Sequence, residues 1–409
     1  MTRRTVEYGC AVVTVGLLAG VAGAATTLLL HWVEHLVYHY SFGTLLTGVG
    51  DSSPVRRAVG PMIGGALAGF GWWLLRHRGD VPGLSATIAE HRPIPRWRMS
   101  IDAGLQVLLV GSGASLGREG APRQLAAALG DFGTSRWSLT PRDREILLAC
   151  AAGAGLGAVY SVPLGGALFA VRIILGTWHP RAVGTALITS SLAVAVSSPV
   201  THLGHSLVWP DPKLSYLFVF LGCAMAPLAV AVGLAFDKLM ALARPEPQLR
   251  SWMLIPAVAL AGLATGICSI WLPELPGNGR SILTVSVDAT LTLGGAAAIL
   301  FLKPLLTALF LRTGAVGGMI TPALATGAAA GTVATLVLNQ LAGTHIQISA
   351  VSLACAAGVL AITQRAPAFA ALFVWELARP PLWLFVVFAA AAYTAHGIRL
   401  LRERNPAKS

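Results

Sequence analysis

The distribution of apolar residues along this 409-residue chain limits its possible folds more than any other feature. Residues 9–30 form an apolar stretch that is long enough to cross a bilayer as a helix and that lacks the cleavage pattern of a signal peptide. Further apolar blocks lie at roughly 58–75, 101–130, 146–176, 183–200, 214–243, 252–272, 291–311, 314–341, 347–377 and 382–401. Only 11% of the residues are charged and 55% are hydrophobic, which excludes an ordinary soluble enzyme and a disordered chain. We therefore predict an all-α polytopic membrane protein in which residues 1–409 form a single membrane domain without a soluble regulatory domain.

The net charge of +12 comes largely from clusters of basic residues between these blocks. The clusters lie at residues 56–57, 76–78, 92–98, 142–144 and 399–408. They form no continuous stripe with aromatic side chains, so binding of nucleic acid is not indicated. Positive charge between spans is typical of the cytoplasmic side, and we expect a multi-pass protein of the cell membrane with both termini in the cytoplasm. Anionic lipid and an anionic solute are the partners that such charge attracts.

The residues that commonly bind metals do not form a convincing metal site in the sequence. The five cysteines are scattered through apolar segments without CxxC spacing, which favours small buried side chains over a disulfide framework. His31, His35 and His39 fall on one helix face beside Glu34, a spacing that could bind a metal. Their position at the end of the first span favours a wet interfacial edge instead. We predict no metal and no cofactor.

Three of the apolar blocks are interrupted, at 101–130, 146–176 and 314–341, by glycine, proline and isolated charges. A broken helix inside a bilayer is tolerated only where its freed backbone groups face protein or a water-filled cavity. The ends of such helices present unpaired amides to a solute, an arrangement typical of transporters. The sequence therefore predicts half-spanning helices around a transport pathway.

An internal repeat relates the two halves of the chain. Residues 117–122 (GREGAP) match residues 317–322 (GGMITP), and Gly79 matches Gly279 at the same separation. Residues 151–153 with the later Pro163 match residues 356–358 with Pro367 at a slightly larger separation. Three landmarks in the same order indicate two related halves, at about 10–200 and 214–401. The sequence leaves open whether they are parallel or inverted, although inverted pairs more commonly place a site at the bilayer midplane.

Glu119 is the most informative charged residue in these repeats. Each glycine-rich segment precedes a predicted helix, whose N-terminal N–H groups and partial positive charge attract an anion. A carboxylate at such a helix end competes with an anion for the same amides, and protonation removes the competition. Glu119 is therefore predicted to be both a gate and a proton carrier. Two alternatives are that the glycines only permit close helix packing, and that Glu119 is a simple helix cap beside Arg118.

The remaining buried acids are predicted to be structural. Glu376 is expected to pair with a helix end, with Arg379 available, and Asp102 is expected to be paired rather than reactive. An intramembrane enzyme would need a nucleophile with its base, or a metal cluster, at membrane depth. Asp102, Glu119 and Glu376 are too dispersed to provide one, so an enzyme is the least favoured class of function.

These motifs resemble those of the CLC family of chloride channels and proton-coupled chloride transporters. Residues 117–122 resemble the GREGP motif, and residues 317–322 resemble the GGxFxP motif. Residues 151–169 resemble the AAG…NAPLAGxLF stretch, and residues 366–376 resemble the RAPLTG…VxE stretch. The similarity runs in order from about residue 15 to 400. It implies a short, prokaryotic-type homodimer in which each subunit is an inverted repeat with its own anion path.

The resemblance also implies roles for individual residues. Glu119 would be the external gating glutamate, and the amides of Gly318, Met319 and Ile320 would hold the central anion. The other residues implied in anion binding are Gly117, Arg118, Gly120 and the loop Gly79, Asp80, Val81 and Pro82, which matches the family's GSGIP segment. Gly79 stands where the family has a serine, and an acidic Asp80 follows it, so the preferred anion is left open.

Two further departures from the family bear on mechanism. The inner glutamate that relays protons in exchangers would fall at Ile173, beside Arg172, and neither side chain can carry a proton inward. The chain ends soon after Tyr393, the residue that could stand in for the family's anion-lining tyrosine. The partners implied are chloride or a similar small anion, protons and membrane lipid. Proton-coupled exchange and a passive voltage- or pH-gated anion channel both remain open, and exchange is favoured because an ionised Glu119 would block an always-open pore.

Overall fold

The computed structural model describes residues 3–40, 43–201, 207, 209–210, 214–245 and 249–404. Within these ranges the secondary structure is helical, and the one β-type pairing is an isolated bridge. The helices are α1 (Arg3–Tyr38), α2 (Leu45–Asp51), α3 (Pro54–His77), α4 (Leu84–Ala89), α5 (Arg96–Gly111), α6 (Gly120–Thr134), α7 (Pro141–Tyr160), α8 (Pro163–Leu168), α9 (Pro180–Thr201), α10 (Leu217–Ala224), α11 (Ala226–Ala243), α12 (Leu254–Cys268), α13 (Arg280–Val287), α14 (Leu293–Arg312), α15 (Ile320–Ala342), α16 (Ile348–Gln364), α17 (Pro367–Ala378) and α18 (Leu384–Arg404). A π-helical segment over Phe169–Ile174 continues α8.

Seven helical segments of the described chain are long and apolar enough to cross a membrane. They are Arg3–Tyr38, Pro54–His77, Pro180–Thr201, Leu217–Ala243, Leu293–Arg312, Ile320–Ala342 and Leu384–Arg404. Shorter apolar helices of 10–17 residues lie between them, such as Leu254–Cys268 and Ile348–Gln364. The prediction of an all-α, multi-pass protein with half-spanning helices is confirmed.

Two of the three interrupted blocks break where the sequence predicted. Block 101–130 is divided between α5 and α6 by the loop 112–119. Block 146–176 turns at Ser161, which has a left-handed φ of 55° and is followed by α8. Block 314–341 behaves differently, because α15 runs without a break from Ile320 onward. Pro322 lies in the first turn of α15, where a backbone N–H would have no acceptor within the helix, so proline breaks no helical hydrogen bond there.

The two halves of the chain are inverted relative to each other. Helices α3 and α12, which occupy corresponding places in the halves, pack antiparallel at glycines. A Cβ atom on Gly65 would lie 2.5 Å from the carbonyl oxygen of Val258, and one on Gly69 would lie 2.7 Å from that of Leu254. Residues nearer the end of α3 therefore contact residues nearer the start of α12, as two antiparallel helices require.

The glycine-rich segments show the same inversion. Gly117 N–H donates to the carbonyl of Gly318 at 2.8 Å, and Gly318 N–H donates to the carbonyl of Gly117 at 2.7 Å, as an antiparallel bridge. The third landmark also recurs, because α7 ends at Ser161 and α16 ends at Arg365, both with left-handed φ values of 55° and 51°. These features confirm the predicted inverted repeat.

Two large apolar clusters surround the segments that carry the predicted site. The first includes Phe369, Phe373 and Phe388 from α17 and α18 and also buries Ile320. The second joins α3, α11 and α12 and also buries Leu116. Because Leu116 and Ile320 immediately flank the paired glycine loops, those loops lie between the two clusters.

Most of the basic clusters share one face of the molecule. The guanidinium group of Arg76 donates to the carbonyls of Leu249 and Gly314 at 3.0 and 2.7 Å, and Arg250 forms an ion pair with Asp80 at 2.7 Å. Further contacts connect this region to the starts of α5 and α7. We call the surface formed by Arg76, Arg78, Arg96, Arg98, Arg144 and Arg250 the Arg-rich face.

Both ends of the described chain adjoin the Arg-rich face, and one basic cluster does not. The N-terminal part of α1 packs against Leu147 and Trp137 beside this face, and Arg399 of α18 donates to the carbonyl of Ile362 near the end of α16. Arg56 and Arg57 lie at the opposite end of α3 from Arg76. This cluster therefore lies on the opposite side from the Arg-rich face, because a 24-residue spanning helix separates the two ends of α3.

Candidate functional site

Glu119 is fully buried in the loop between α5 and α6. Its Oε1 atom accepts a hydrogen bond from the N–H of Thr321 at 2.7 Å and another from the Thr321 hydroxyl at 2.5 Å. Thr321 is the second residue of α15, so its N–H has no partner within that helix. The carboxyl group of one half thus occupies the helix N-terminus of the other half.

Two glycines make room for this carboxyl group. A Cβ atom on either Gly117 or Gly318 would overlap Glu119 Oε2. Oε2 itself accepts no hydrogen bond from any part of the chain that the structure describes. We call Gly117, Gly318 and the N-terminal turn of α15 around the carboxyl group the glycine cradle. Because both glycines lie in loops, close packing between helices does not explain them.

Glu119 does not cap α6, the helix that it precedes, although its carboxyl group accepts from an N-terminal N–H of α15. Its side chain makes no capping hydrogen bond to α6, although the residue sits at the N-cap position. Arg118 turns elsewhere: it donates to the carbonyl of Val159 at 2.9 Å, and its guanidinium lies 5.0 Å from the centre of the Tyr160 ring. The described residues contain no ion pair between Arg118 and Glu119.

The backbone hydrogen bonds of the cradle differ from the predicted anion site at Gly117 and Gly318. The N–H groups of Gly117 and Gly318 are already bonded to each other's carbonyl oxygens. They are not free to hold an anion in this arrangement, whereas the first N–H groups of α15, from Ile320 onward, face no helical acceptor. Thr321 was absent from the predicted set, although its place in the GGMITP segment could have indicated it.

A first cavity of about 260 Å³ is lined in part by Arg118, the residue before Glu119, and is called the Arg118 cavity. Its titratable and charged lining residues are His31, Glu34, Tyr40, Arg118, Arg280 and Asp288. The Tyr40 hydroxyl donates to Glu34 Oε2 at 2.6 Å. The cavity lies at the C-terminal end of α1, away from the Arg-rich face. Within the described ranges, no group of three or more His, Cys, Asp or Glu residues is arranged to hold a metal ion.

A second cavity of about 170 Å³ is lined in part by Met319, the residue after Gly318, and is called the Met319 cavity. It is lined by the C-terminal parts of α11 and α16, including Asp237, Arg244 and Thr363. Arg244 donates to the thioether sulfur of Met319 at 3.2 Å. Arg118 precedes Glu119 and Met319 follows Gly318, so each cavity is lined by a residue that adjoins the cradle in sequence.

The loop predicted to contribute to the anion site lies on the Arg-rich face. Gly79 has a φ of 130°, and a Cβ atom there would overlap the guanidinium of Arg98. Asp80 is exposed, and its carboxylate is paired with Arg250 at 2.7 Å. Val81 packs against two of the apolar clusters, and Pro82 is half-buried. The unfavourable effect of an acid near an anion is thus avoided, because the carboxylate is turned outward and neutralised.

Of the other predicted residues, some adjoin the cradle and two lie apart from it. Gly120 begins α6, where a Cβ atom would overlap the amide oxygen of Gln106, and Ile320 begins α15 and is buried. Ile173 lies in the π-helical segment against apolar side chains. Tyr393 is 56% exposed on α18 and lines neither cavity, so the structure does not bring it to the site.

The other buried charges have structural partners. Asp102 accepts hydrogen bonds from Trp72 Nε1 at 2.7 Å and Gln106 Nε2 at 2.8 Å, which confirms that it is paired. Glu376 accepts from the N–H groups of Leu164 and Gly165 at 3.0 and 2.6 Å, and so caps α8 from the other half of the chain.

Lys303 was missed by the sequence analysis. It is fully buried, and its Nζ donates to the carbonyls of Leu275 and Gly277 at 3.1 and 2.8 Å. The bonds fix the turn that leads into α13. Its position as the lone lysine inside the apolar block 291–311 could have indicated a buried, functionally or structurally important charge.

Comparison with known proteins identifies the relatives of this chain. The family described as voltage gated chloride channel matches residues 64–399. Proteins named voltage-gated ClC-type chloride channel ClcB from Escherichia coli strains UMN026 and E24377A are 30% identical over 327 residues, covering 78% of this chain and 77% of theirs.

Three solved structures share the fold. A slow cyanobacterial Cl⁻/H⁺ antiporter superposes with a TM-score of 0.77 at 20% identity, covering 98% of this chain and 99% of that chain. A CLC-type fluoride/proton antiporter gives 0.73 at 20% identity, with 97% of each chain covered. A eukaryotic CLC transporter gives 0.71 at 17% identity, covering 98% of this chain and 74% of that chain.

Proposed function

This chain belongs to the voltage-gated chloride channel (CLC) family, and from that premise we propose that it exchanges a small anion, such as chloride, for protons across the cell membrane. Members of this family are transporters or channels and not enzymes. One observation carries the proposal: the Glu119 carboxyl group occupies the N-terminal amide of α15, where an anion would bind. The curated relatives named as chloride channels support the choice of anion.

Competition at the cradle links the two ions. When Glu119 is ionised, its Oε1 accepts both hydrogen bonds from Thr321 and excludes an anion from those donors. Oε2 has no donor, so it can take up a proton without breaking an existing hydrogen bond. The neutral carboxyl group is held less strongly by the helix N-terminus and yields its place to an anion. Binding by amides, without an adjacent Lys or Arg pair, still lets the ion leave.

The charge distribution supports an orientation for this exchange. We assign the Arg-rich face to the cytoplasm, because basic residues accumulate on that side of membrane proteins. Both ends of the chain then lie in the cytoplasm, the Met319 cavity faces inward and the Arg118 cavity faces outward. Two copies are proposed to associate as a homodimer, each with its own cradle.

A passive anion channel is the second candidate, and one observation favours it. Ile173 offers no titratable group at the position where the family's exchangers hold their inner proton glutamate. A channel would conduct the anion without moving protons against their gradient.

Purified protein in sealed liposomes tests the proposal through simultaneous recording of anion and proton flux. We expect a chloride gradient to drive protons uphill in the wild type. Glu119→Gln should reduce proton flux to the level of empty liposomes and retain anion flux, because the amide cannot carry a proton. Glu90→Gln, which removes an exposed acid paired with Arg92, is the matched control and should change neither flux.

Each result of this experiment decides between the candidates. Anion flux without proton movement in the wild type identifies a channel, and unaltered coupling in Glu119→Gln excludes the assigned role of Glu119. Vesicles that pass neither chloride, fluoride nor nitrate rule out anion transport altogether. The mass of the same purified sample should be about twice 42.4 kDa for a homodimer.

A further inference from the structure

An exchanger built on a buried carboxyl group must deliver protons to it from both sides of the membrane. Glu119 is fully buried, and its neighbour Arg118 lines the Arg118 cavity. Met319, next to Gly318 of the cradle, lines the Met319 cavity on the Arg-rich side. Of the residues that line the Met319 cavity, Asp237 is the one with a carboxyl group.

Asp237 has the features of a group that exchanges protons with solvent. It is half-buried on α11, and it makes no hydrogen bond or ion pair within the described ranges. An unpaired carboxylate beside an anion path repels the anion, so it is a disadvantage for a pore that only conducts anions. Protonation removes that repulsion while the proton is in transit.

The surroundings of Asp237 are mainly cationic. The charged and titratable groups on α11 and on the helices packed against this part of it are Lys238, Arg244, Arg365, His396, Arg399 and Glu403. Arg399 acts on Asp237 electrostatically, but its guanidinium is bonded to Glu403 at 2.8 Å and to the carbonyl of Ile362. Arg244 is bonded to Met319. In the part of the chain that the structure describes, these cations therefore lie near Asp237 without forming a salt bridge with it.

We propose that Asp237 is the inner proton-transfer group of this protein, an assignment that rests on the proposed exchange function. The O–H bond of the Asp237 carboxyl group breaks, the proton passes through water in the Met319 cavity, and an O–H bond forms at Glu119 Oε2. Asp237 is reprotonated from the cytoplasm, and the reverse sequence releases a proton inward. Met319 lies between the cavity and the cradle, and its unbranched, flexible side chain can turn aside to let the proton pass.

The other acid near the cradle is less suited to this role. Asp102 is fully engaged by Trp72 and Gln106 and lines neither cavity. Protonating it would break hydrogen bonds that hold α3, α5 and α6 together.

The test is Asp237→Asn in liposomes with simultaneous anion and proton recording. Because an amide cannot relay a proton, we expect proton flux to fall roughly tenfold or more while anion flux stays within about twofold. Asp237→Glu should restore most of the proton flux. Glu90→Gln removes an exposed acid that is paired with Arg92 and lines neither cavity, and its ratio of proton to anion flux should match that of the wild type.

The remaining outcomes overturn the assignment. An unchanged flux ratio in Asp237→Asn, or an equal change in both fluxes, would show that Asp237 acts only on the anion or on stability. Loss of coupling in Asp102→Asn with normal coupling in Asp237→Asn would move the role to Asp102. A wild type that moves no protons would instead refute the proposed exchange, and retained anion flux shows that each variant is folded.

Discussion

At the scale of single residues, the central feature is a carboxyl group held by the opposite half of the chain. Glu119 reaches Thr321 across about 200 positions of sequence, and only two glycines leave space for its second oxygen. A side chain at either glycine would need the carboxyl group to move, because backbone lies on the other sides of the cradle. The glycines therefore determine where the acid can rest.

Gly318→Ala tests this role of the cradle. The added methyl group overlaps Oε2 of Glu119, so the carboxyl group must move away from Thr321. It then loses its two hydrogen bonds from Thr321, and each hydrogen bond to a charged group contributes about 1.5–3 kcal/mol. We expect the form in which the carboxyl group is bound to Thr321 to become roughly a hundredfold or more less populated, and anion flux to depend less on pH between pH 4 and 8. Anion flux across this pH range measures the effect.

Gly294→Ala is the control for this change, since no atom lies within 4 Å of a Cβ atom there. A pH profile in Gly318→Ala that matches the profiles of Gly294→Ala and the wild type would contradict the assigned function of the cradle.

At the scale of helices, the inverted repeat depends on close antiparallel packing. Glycines on α3 and α12 face the backbone of the partner helix. Small residues allow helices to approach closely, which matters in a bilayer because the hydrophobic effect does not drive helices together there. Residues on the two halves also complete each other's helix ends, as Glu376 does for α8. Neither half supplies all of the partners that its own helix ends require.

Gly262→Ala should destabilise the protein through this packing. The added methyl group overlaps the carbonyl oxygen of Pro61, and neither backbone can yield without separating α3 from α12. We expect the unfolding free energy to fall by about 1–3 kcal/mol, as for other overpacked cores. Gly104→Ala, within α5, meets no atom within 4 Å and should instead stabilise by about 0.5–1 kcal/mol.

Thermal unfolding of both purified variants in detergent measures the difference. Equal midpoints for Gly262→Ala and the wild type would show that α3 and α12 do not need this close approach.

At the scale of the whole molecule, charge separates two faces. The Arg-rich face adjoins both ends of the described chain and the Met319 cavity, whereas the Arg118 cavity lies toward the other face. In the proposed exchange, a change in the protonation of Glu119 controls access to the cradle from either face. The orientation in the membrane then decides which compartment supplies each proton.

Labelling of single cysteines tests that orientation. In a variant without the five native cysteines, Glu90→Cys on the Arg-rich side should react with an impermeant maleimide only from the cytoplasm. Ala289→Cys, which is exposed beside the Arg118 cavity, should react only from outside. The reverse pattern in intact cells and inverted vesicles would show the opposite orientation.

Local patterns in the sequence were sufficient for the spans, the breaks at residues 112–119 and 161, and the repeat. The length of an apolar block and the glycine or proline residues that interrupt it can be read from a few neighbouring residues. The repeat can be identified from its landmarks without knowing which residues are in contact. Glu119 was found in the same way, because a lone acid between glycines in an apolar block is costly unless it has a function. The paired state of Asp102 was also predicted.

Tertiary structure alone decided which groups meet at the site. It joined Glu119 to Thr321, paired the amides of Gly117 and Gly318, turned Asp80 outward and left Tyr393 exposed. It also placed Asp237 in the cavity next to Met319. The physical reason is that each of these outcomes depends on how helices about 75 to 200 residues apart in sequence pack, and neither hydrophobic periodicity nor local spacing specifies that packing.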